Sequence, residues 1–175
     1  MATKKSMWVL FGILMISAWL LGSVTQAGAQ TSTMKCREGG QQIKAHVIEV
    51  GDVPGHIVAV GEQGGVWSCD DGSIATTSTK WMTDQTKGSG KAQFYEMFTY
   101  EDGSTTLSKG INTLTSNPDG KTVKWEGTFE YIKGTGRFEG IKGGGTFTGK
   151  RWTPIPGAGA PYYIESTATY TLPSK

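Results

Sequence analysis

The stretch Asn117-Pro118-Asp119-Gly120-Lys121-Thr122-Val123-Lys124-Trp125-Glu126-Gly127-Thr128-Phe129-Glu130-Tyr131 decides the fold class. Val123, Trp125, Gly127, Phe129 and Tyr131 alternate with Lys124, Glu126, Thr128 and Glu130. A period of two puts the first set on one side of a strand and the second on the other, so one face is dry and one is wet. Asn117-Pro118-Asp119-Gly120 supplies the residue order of a type I turn followed by a left-handed glycine and a bulge. The pattern returns near the C-terminus, where Tyr162, Ile164, Ala168, Tyr170 and Leu172 alternate with Glu165, Thr167, Thr169 and Thr171.

The rest of the chain agrees with this reading. Beyond residue 29 the only leucines are Leu107, Leu114 and Leu172, while glycine and the β-branched and aromatic residues abound. Helix formers are scarce and glycine is costly inside a helix, so an all-β domain is predicted. Asp71-Gly72, Asp102-Gly103 and Asp119-Gly120 each separate two strand-like runs, which is a hairpin signal. Strands are expected over 42–50, 56–62, 65–70, 73–83, 92–100, 105–115, 122–133, 137–150 and 161–172, the eighth bent by its glycines. No segment carries a helical period long enough for a crossover, which excludes a parallel sheet. About eight antiparallel strands must hide their edges, and the expected solution is a meander closed into a lipocalin-like barrel.

Turn chemistry gives an expected register. The bulged turn at 117–120 pairs Thr113 with Trp125 and Ile111 with Gly127, keeping Ile111 out of water. A two-residue turn at Asp102-Gly103 pairs Phe98 with Leu107, Glu96 with Lys109 and Phe94 with Ile111. Glu96 and Lys109 then face each other inside an apolar surface. They are either an ion pair on a solvent patch or a charged pair in a cavity, and in the second case weak catalytic candidates.

The N-terminus reads as an export signal over residues 1–29: Lys4 and Lys5, an apolar run from Trp8 to about Val24, and Ala27-Gly28-Ala29 before the expected cut. Residues 30–41 are then a lead-in and 42–175 a single barrel domain. The product is expected in the periplasm or outside the cell, without stable membrane association after cleavage. The whole-chain net charge of +2 rests on Lys4 and Lys5, and no basic block appears, which argues against a nucleic-acid partner. Cys36 and Cys69 are the two cysteines, an even number in an oxidising compartment, and a structural disulfide between them is expected.

Motifs for chemistry are few. Gly144–Lys150 spells the first seven positions of a phosphate-binding loop, but Arg151 follows where Ser or Thr is needed and no helix is expected after it. His46 and His56 are the only histidines, and neither has the spacing of a metal site or a nucleophile's partner. No metal and no cofactor are expected. Phe94, Phe98, Trp125, Phe129, Tyr131 and Tyr170, with Trp67, Trp81 and Tyr162, either fill a solid barrel or line a cavity. Small inward residues such as Gly127, Ser166 and Ala168 favour the cavity, since an eight-stranded barrel is wide enough for one small ligand.

The run Gly134-Thr135-Gly136-Arg137-Phe138-Glu139-Gly140-Ile141-Lys142-Gly143, continuing through Gly145-Thr146-Phe147 to Gly149, resembles the glycine-rich strand pair of the allene oxide cyclase and dirigent barrels. There Gly134, Gly136, Gly140 and Gly143 would permit a sharp corner and Phe138 would anchor it from inside. The resemblance extends over about residues 42–172 and implies an antiparallel barrel with a hydrophobic cavity, a homo-oligomer in many members, working without metal or organic cofactor. No catalytic residue of either family matches a position here. Three functions result: an exported barrel binding a small apolar or aromatic molecule, a cofactor-free cyclase or isomerase in which Glu96 or a nearby Tyr handles a proton, and a solid barrel that contacts a partner through its loops.

Overall fold

The computed structural model describes residues 30–153 and 157–174, and the expected leader with its cleavage site lies outside the described residues. Eight strands follow one another as an antiparallel meander: β1 Gln30–Glu49, β2 His56–Cys69, β3 Ile74–Thr86, β4 Ser89–Tyr100, β5 Thr105–Ser116, β6 Val123–Gly134, β7 Lys142–Arg151 and β8 Pro161–Leu172. β8 pairs with β1 and closes the barrel. Hydrogen-bonded partners traced once round from Cys36, through Ser166, Phe147, Gly127, Asn112, Ala92, Thr83 and Ala59, return to β1 at Val47, 11 residues further on. One of those residues belongs to the bulge between Gln42 and Lys44. This stagger tilts the strands and sets the width of the lumen.

Three expectations change. Residues 30–41, expected as a lead-in, form the first half of β1, where they pair with β8 and β2. The two runs 56–62 and 65–70 are one strand, crossing Gln63 and Gly64 without a turn. The expected bent strand 137–150 is instead a 3-10 turn, Gly136–Phe138, followed by β7. Gly136 and Gly140 take left-handed φ of 60° and 76° around that turn. Phe138 is buried and stacks 4.6 Å from the Tyr100 ring, so it does anchor the corner from inside.

The register of β5 also differs. Asp102-Gly103 lies in a three-residue turn, closed by Tyr100 N–H donating to the Ser104 carbonyl, with Gly103 at φ 78°. Glu96 is therefore opposite Ser108, Phe94 opposite Gly110 and Phe98 opposite Thr106. At the next turn Ser116 pairs with Val123, which puts Leu114 opposite Trp125 and Asn112 opposite Gly127. Ile111 lies opposite Thr128 and is 64% exposed. The expectation that Ile111 must be dry fails because β5 turns its small and polar residues inward, where the large rings of its neighbours already occupy the space. A Cβ on Gly110 would sit 2.6 Å from Phe94 Cε1.

The alternation expected in β6 and β8 holds: Val123, Trp125, Tyr131, Tyr162 and Ala168 are all buried. Cys36 and Cys69 are direct cross-strand partners joined by a disulfide. One end of the barrel, which carries the β2–β3, β4–β5 and β6–β7 turns, is filled by a cluster including Met34, Trp67, Phe98, Tyr100, Tyr131 and Phe138. The opposite end carries the connections that follow β1, β3, β5 and β7, among them 50–55, 87–88 and 117–122, and is here termed the mouth.

Candidate functional site: a carboxyl pair in an aromatic lumen

Strand alternation turns Cys36, Glu38 and Gln42 of β1 and Phe94, Glu96 and Phe98 of β4 inward. Glu38 and Glu96 are 2% and 9% exposed and hydrogen-bond to each other across the lumen. Thr77 Oγ1 donates to Glu38 Oε1 at 2.6 Å and Tyr162 Oη to the same oxygen at 2.5 Å, while Thr79 Oγ1 donates to Glu96 Oε1 at 2.8 Å. The tyrosine reaches Glu38 because β1 offers a glycine beneath it: a Cβ on Gly40 would lie 2.5 Å from Tyr162 Oη.

Two carboxylates in one low-dielectric site do not both ionise. Burial pushes the Glu96 carboxyl well above the usual carboxylate range, and the charge of Glu38 pushes it further. Burial also raises Glu38, but the hydroxyls of Thr77 and Tyr162 and the acid proton of Glu96 favour its charged form. The pair therefore shares one proton, held on Glu96 and donated to a Glu38 carboxylate that accepts three hydroxyl-type bonds. Burial, followed by the charge of Glu38, raises Tyr162 strongly, so that it remains a phenol donor. The arrangement can donate a hydrogen bond or a proton to a molecule in the lumen and take it back.

Around the pair lies a cavity of about 80 Å³, walled by Trp67, Trp81, Phe94, Phe98, Trp125, Phe129 and Phe147 together with Glu38, Glu96, Asn112, Ser166 and Arg151. That volume holds several waters or a small ring. Trp81 is fixed by its Nε1–H bond to Gln42 Oε1 at 2.9 Å, and Gln42 Nε2 donates to Gln63 Oε1 at 3.0 Å. Asn112 Oδ1 and Ser166 Oγ, both on the cavity wall, have no hydrogen-bond partner.

Of the residues expected at a cavity, Phe94, Phe98, Trp125, Phe129 and Glu96 line it. Tyr131 and Tyr170 belong to the packed cluster at the closed end, with their rings 6.3 Å apart. Lys109 is not opposite Glu96: it points outward and pairs with Glu130 at 2.9 Å, both half-exposed, so it is no part of the site. Glu38, Gln85 and Arg151 are the residues that sequence reasoning missed. Glu38 sits two positions from Cys36, and a disulfide to Cys69 requires a strand beside β2, which was the available signal. Arg151 and Gln85 had none. His56, at the mouth, is held between Asp52, 2.6 Å from Nδ1, and Asp84, 2.9 Å from Nε2, and ties the β1–β2 connection to β3.

No protein-family model and no curated protein matches this chain. Among solved structures, a pterocarpan synthase dirigent protein superposes with a TM-score of 0.50 at 11% identity, over 83% of this chain and 90% of that one. The barrel is similar to that of a dirigent protein. A protein of unknown function of the DUF3224 family from Shewanella oneidensis gives a TM-score of 0.48 at 17% identity, over 84% and 100% of the two chains. A conserved protein of unknown function from Rhodopseudomonas palustris gives 0.49 at 7% identity, over 81% and 98%. At these identities the dirigent likeness is one of fold, and the functional reading rests on the lumen itself.

Proposed function

We propose that this dirigent-like barrel binds a small aromatic or apolar molecule in its lumen, against the singly protonated Glu38–Glu96 pair. The observation that carries the reading is the cavity wall, on which Asn112 and Ser166 hold buried oxygens, Oδ1 and Oγ, without hydrogen-bond partners. Buried polar atoms in native proteins are satisfied, so such atoms on a cavity call for an occupant. Calorimetry with small aromatic probes such as indole and benzyl alcohol tests this. Binding should appear with a negative heat-capacity change and vanish in Ala92→Leu, which fills the cavity, while the variant melts like the parent. No binding by any such probe contradicts the reading.

A second reading, a cofactor-free isomerase or cyclase, is favoured by the shared proton on Glu96, placed where an apolar intermediate would meet it. It is distinguished by Glu96→Gln, which would abolish turnover and leave ligand affinity within a few-fold. The Cys36–Cys69 bridge fits an exported protein, since such bridges persist in oxidising compartments.

A further inference from the structure

The negative charge of the Glu38–Glu96 pair has no counter-ion among the described residues. The polar partners of the two carboxyls are each other and the neutral hydroxyls of Thr77, Tyr162 and Thr79. The ion pairs of the described residues all lie elsewhere. A buried charge without an opposite one is costly, and here it stands beside a cavity. The walls of that cavity have the same sign. Trp67, Trp81, Phe94, Phe98 and Trp125 contribute rings whose faces are negative. Asn112 Oδ1 is an acceptor and Ser166 Oγ can act as one, and neither has a donor. The two oxygens belong to one cross-strand row, in which Ser166 is opposite Phe147, Phe147 opposite Gly127 and Gly127 opposite Asn112. Arg151 is the one positive side chain among the described residues of the wall, and along β7 it lies four residues beyond Phe147, roughly 13 Å of strand. It is held at the mouth, where its Nε–H donates to the Thr153 carbonyl at 2.8 Å and a terminal N–H to Gln85 Oε1 at 3.4 Å.

We propose that the lumen is a site for a small organic cation, a protonated amine with an aromatic or apolar body, whose charge lies against the Glu38–Glu96 pair and the rings around it. The inference rests on the binding reading above and adds the sign of the ligand's charge. An ammonium group suits each part of this surface. Its charge offsets that of the pair in a low-dielectric interior, where the attraction is strong. The negative faces of tryptophan and phenylalanine attract it as well. Its N–H groups supply a donor for Asn112 Oδ1 or Ser166 Oγ. A metal ion suits the site poorly, because hard cations require several free oxygen ligands and Glu38 already accepts from Thr77, Tyr162 and Glu96. A carboxylate ligand would be repelled by the pair and by the ring faces alike.

The test is calorimetric titration of the full chain at pH 7 with benzylamine, benzyl alcohol and phenylacetate, three probes of similar shape that are cationic, neutral and anionic at that pH. Benzylamine should bind about tenfold more tightly than benzyl alcohol, and phenylacetate more weakly than either. Glu38→Gln combined with Glu96→Gln leaves no carboxylate in the lumen wherever the shared proton rests, and should bring benzylamine down to the level of benzyl alcohol. Glu130→Gln, which removes a carboxylate from the outer surface, should leave the preference as it is. Benzyl alcohol or phenylacetate binding to the parent as tightly as benzylamine, or a preference that survives the double substitution, overturns the cation site while the lumen remains a binding site. The order of the three probes on the parent decides the matter if the double variant does not fold. Absence of binding by all three overturns the binding reading and the cation site with it.

Discussion

Replacing Glu96 with Gln keeps the shape of the side chain and its ability to donate to Glu38, but removes the titrating group. In the folded parent the Glu96 proton is retained far above 4.5, the value the same carboxyl has when unfolded. Between those two values the unfolded chain has lost a proton that the folded chain still holds. The sign is therefore fixed: this contribution is fully present below about pH 4.5 and is lost as pH rises toward the folded value. One proton corresponds to about 1.4 kcal/mol of stability lost per pH unit over that window, or roughly 4–6 °C in Tm for a domain of this size. Thermal unfolding of parent and Glu96→Gln at pH intervals from 4 to 8 reads the difference directly. The two should be close at pH 4 and diverge steadily, with the variant the more stable at neutral pH. Parallel curves would falsify the shared-proton account, since they would mean that Glu96 titrates alike in both states.

Three further outcomes are expected. Reduction of the Cys36–Cys69 bridge should lower stability by about 3.5–4 kcal/mol, read as a lower denaturant midpoint with dithiothreitol present, and an unchanged midpoint would show that the bridge constrains nothing. Gly110→Val should cost about 1–3 kcal/mol because its Cβ would press on the Phe94 ring, and a parental melting temperature would count against the inward register of β5. Hydrogen bonds donated to Asp84 and Asp52 raise the His56 imidazole above its usual 6.5, so its support of the mouth is present below that value and lost as pH rises through the folded one. Proton NMR of the His56 ring should show a raised midpoint that returns toward 6.5 in Asp84→Asn; the same midpoint in both would refute the contact.

The fold class was legible because large residues at period two carry most of the signal: Trp125 and Tyr131 in β6 and Tyr162 and Ala168 in β8 lie on the faces their alternation indicates. β5 was not legible, for two physical reasons. Asp-Gly suits both a two-residue turn and a three-residue turn with a bulge, and the choice reverses every side chain of the next strand. In addition, the inward face of β5 is built from Thr106, Ser108, Gly110 and Asn112, whose small volume complements Phe94 and Phe98, so hydrophobicity pointed the wrong way. The register error put Lys109 beside Glu96, and the missed first half of β1 hid Glu38, its real partner. Half of the carboxyl pair was thus visible from sequence, as a charge on an apolar face, while its partner lay in a segment read as a lead-in, although the Cys36–Cys69 bridge places that segment beside β2. Gln85 and Arg151 meet from strands separated by 66 residues, a distance no local pattern bridges.

The central claim is that the lumen is a site for a small molecule, and four indole N–H groups of the described residues test it most directly. Trp67 and Trp125 are 3% and 8% exposed and line the cavity with Trp81, while Trp152 is 47% exposed and lies outside it. In nitrogen-15 correlation spectra, titration with benzylamine or indole should shift the resonances of Trp67, Trp81 and Trp125 together and leave Trp152 in place. Stationary lumen resonances with every probe, or movement of Trp152 alone, would contradict the account.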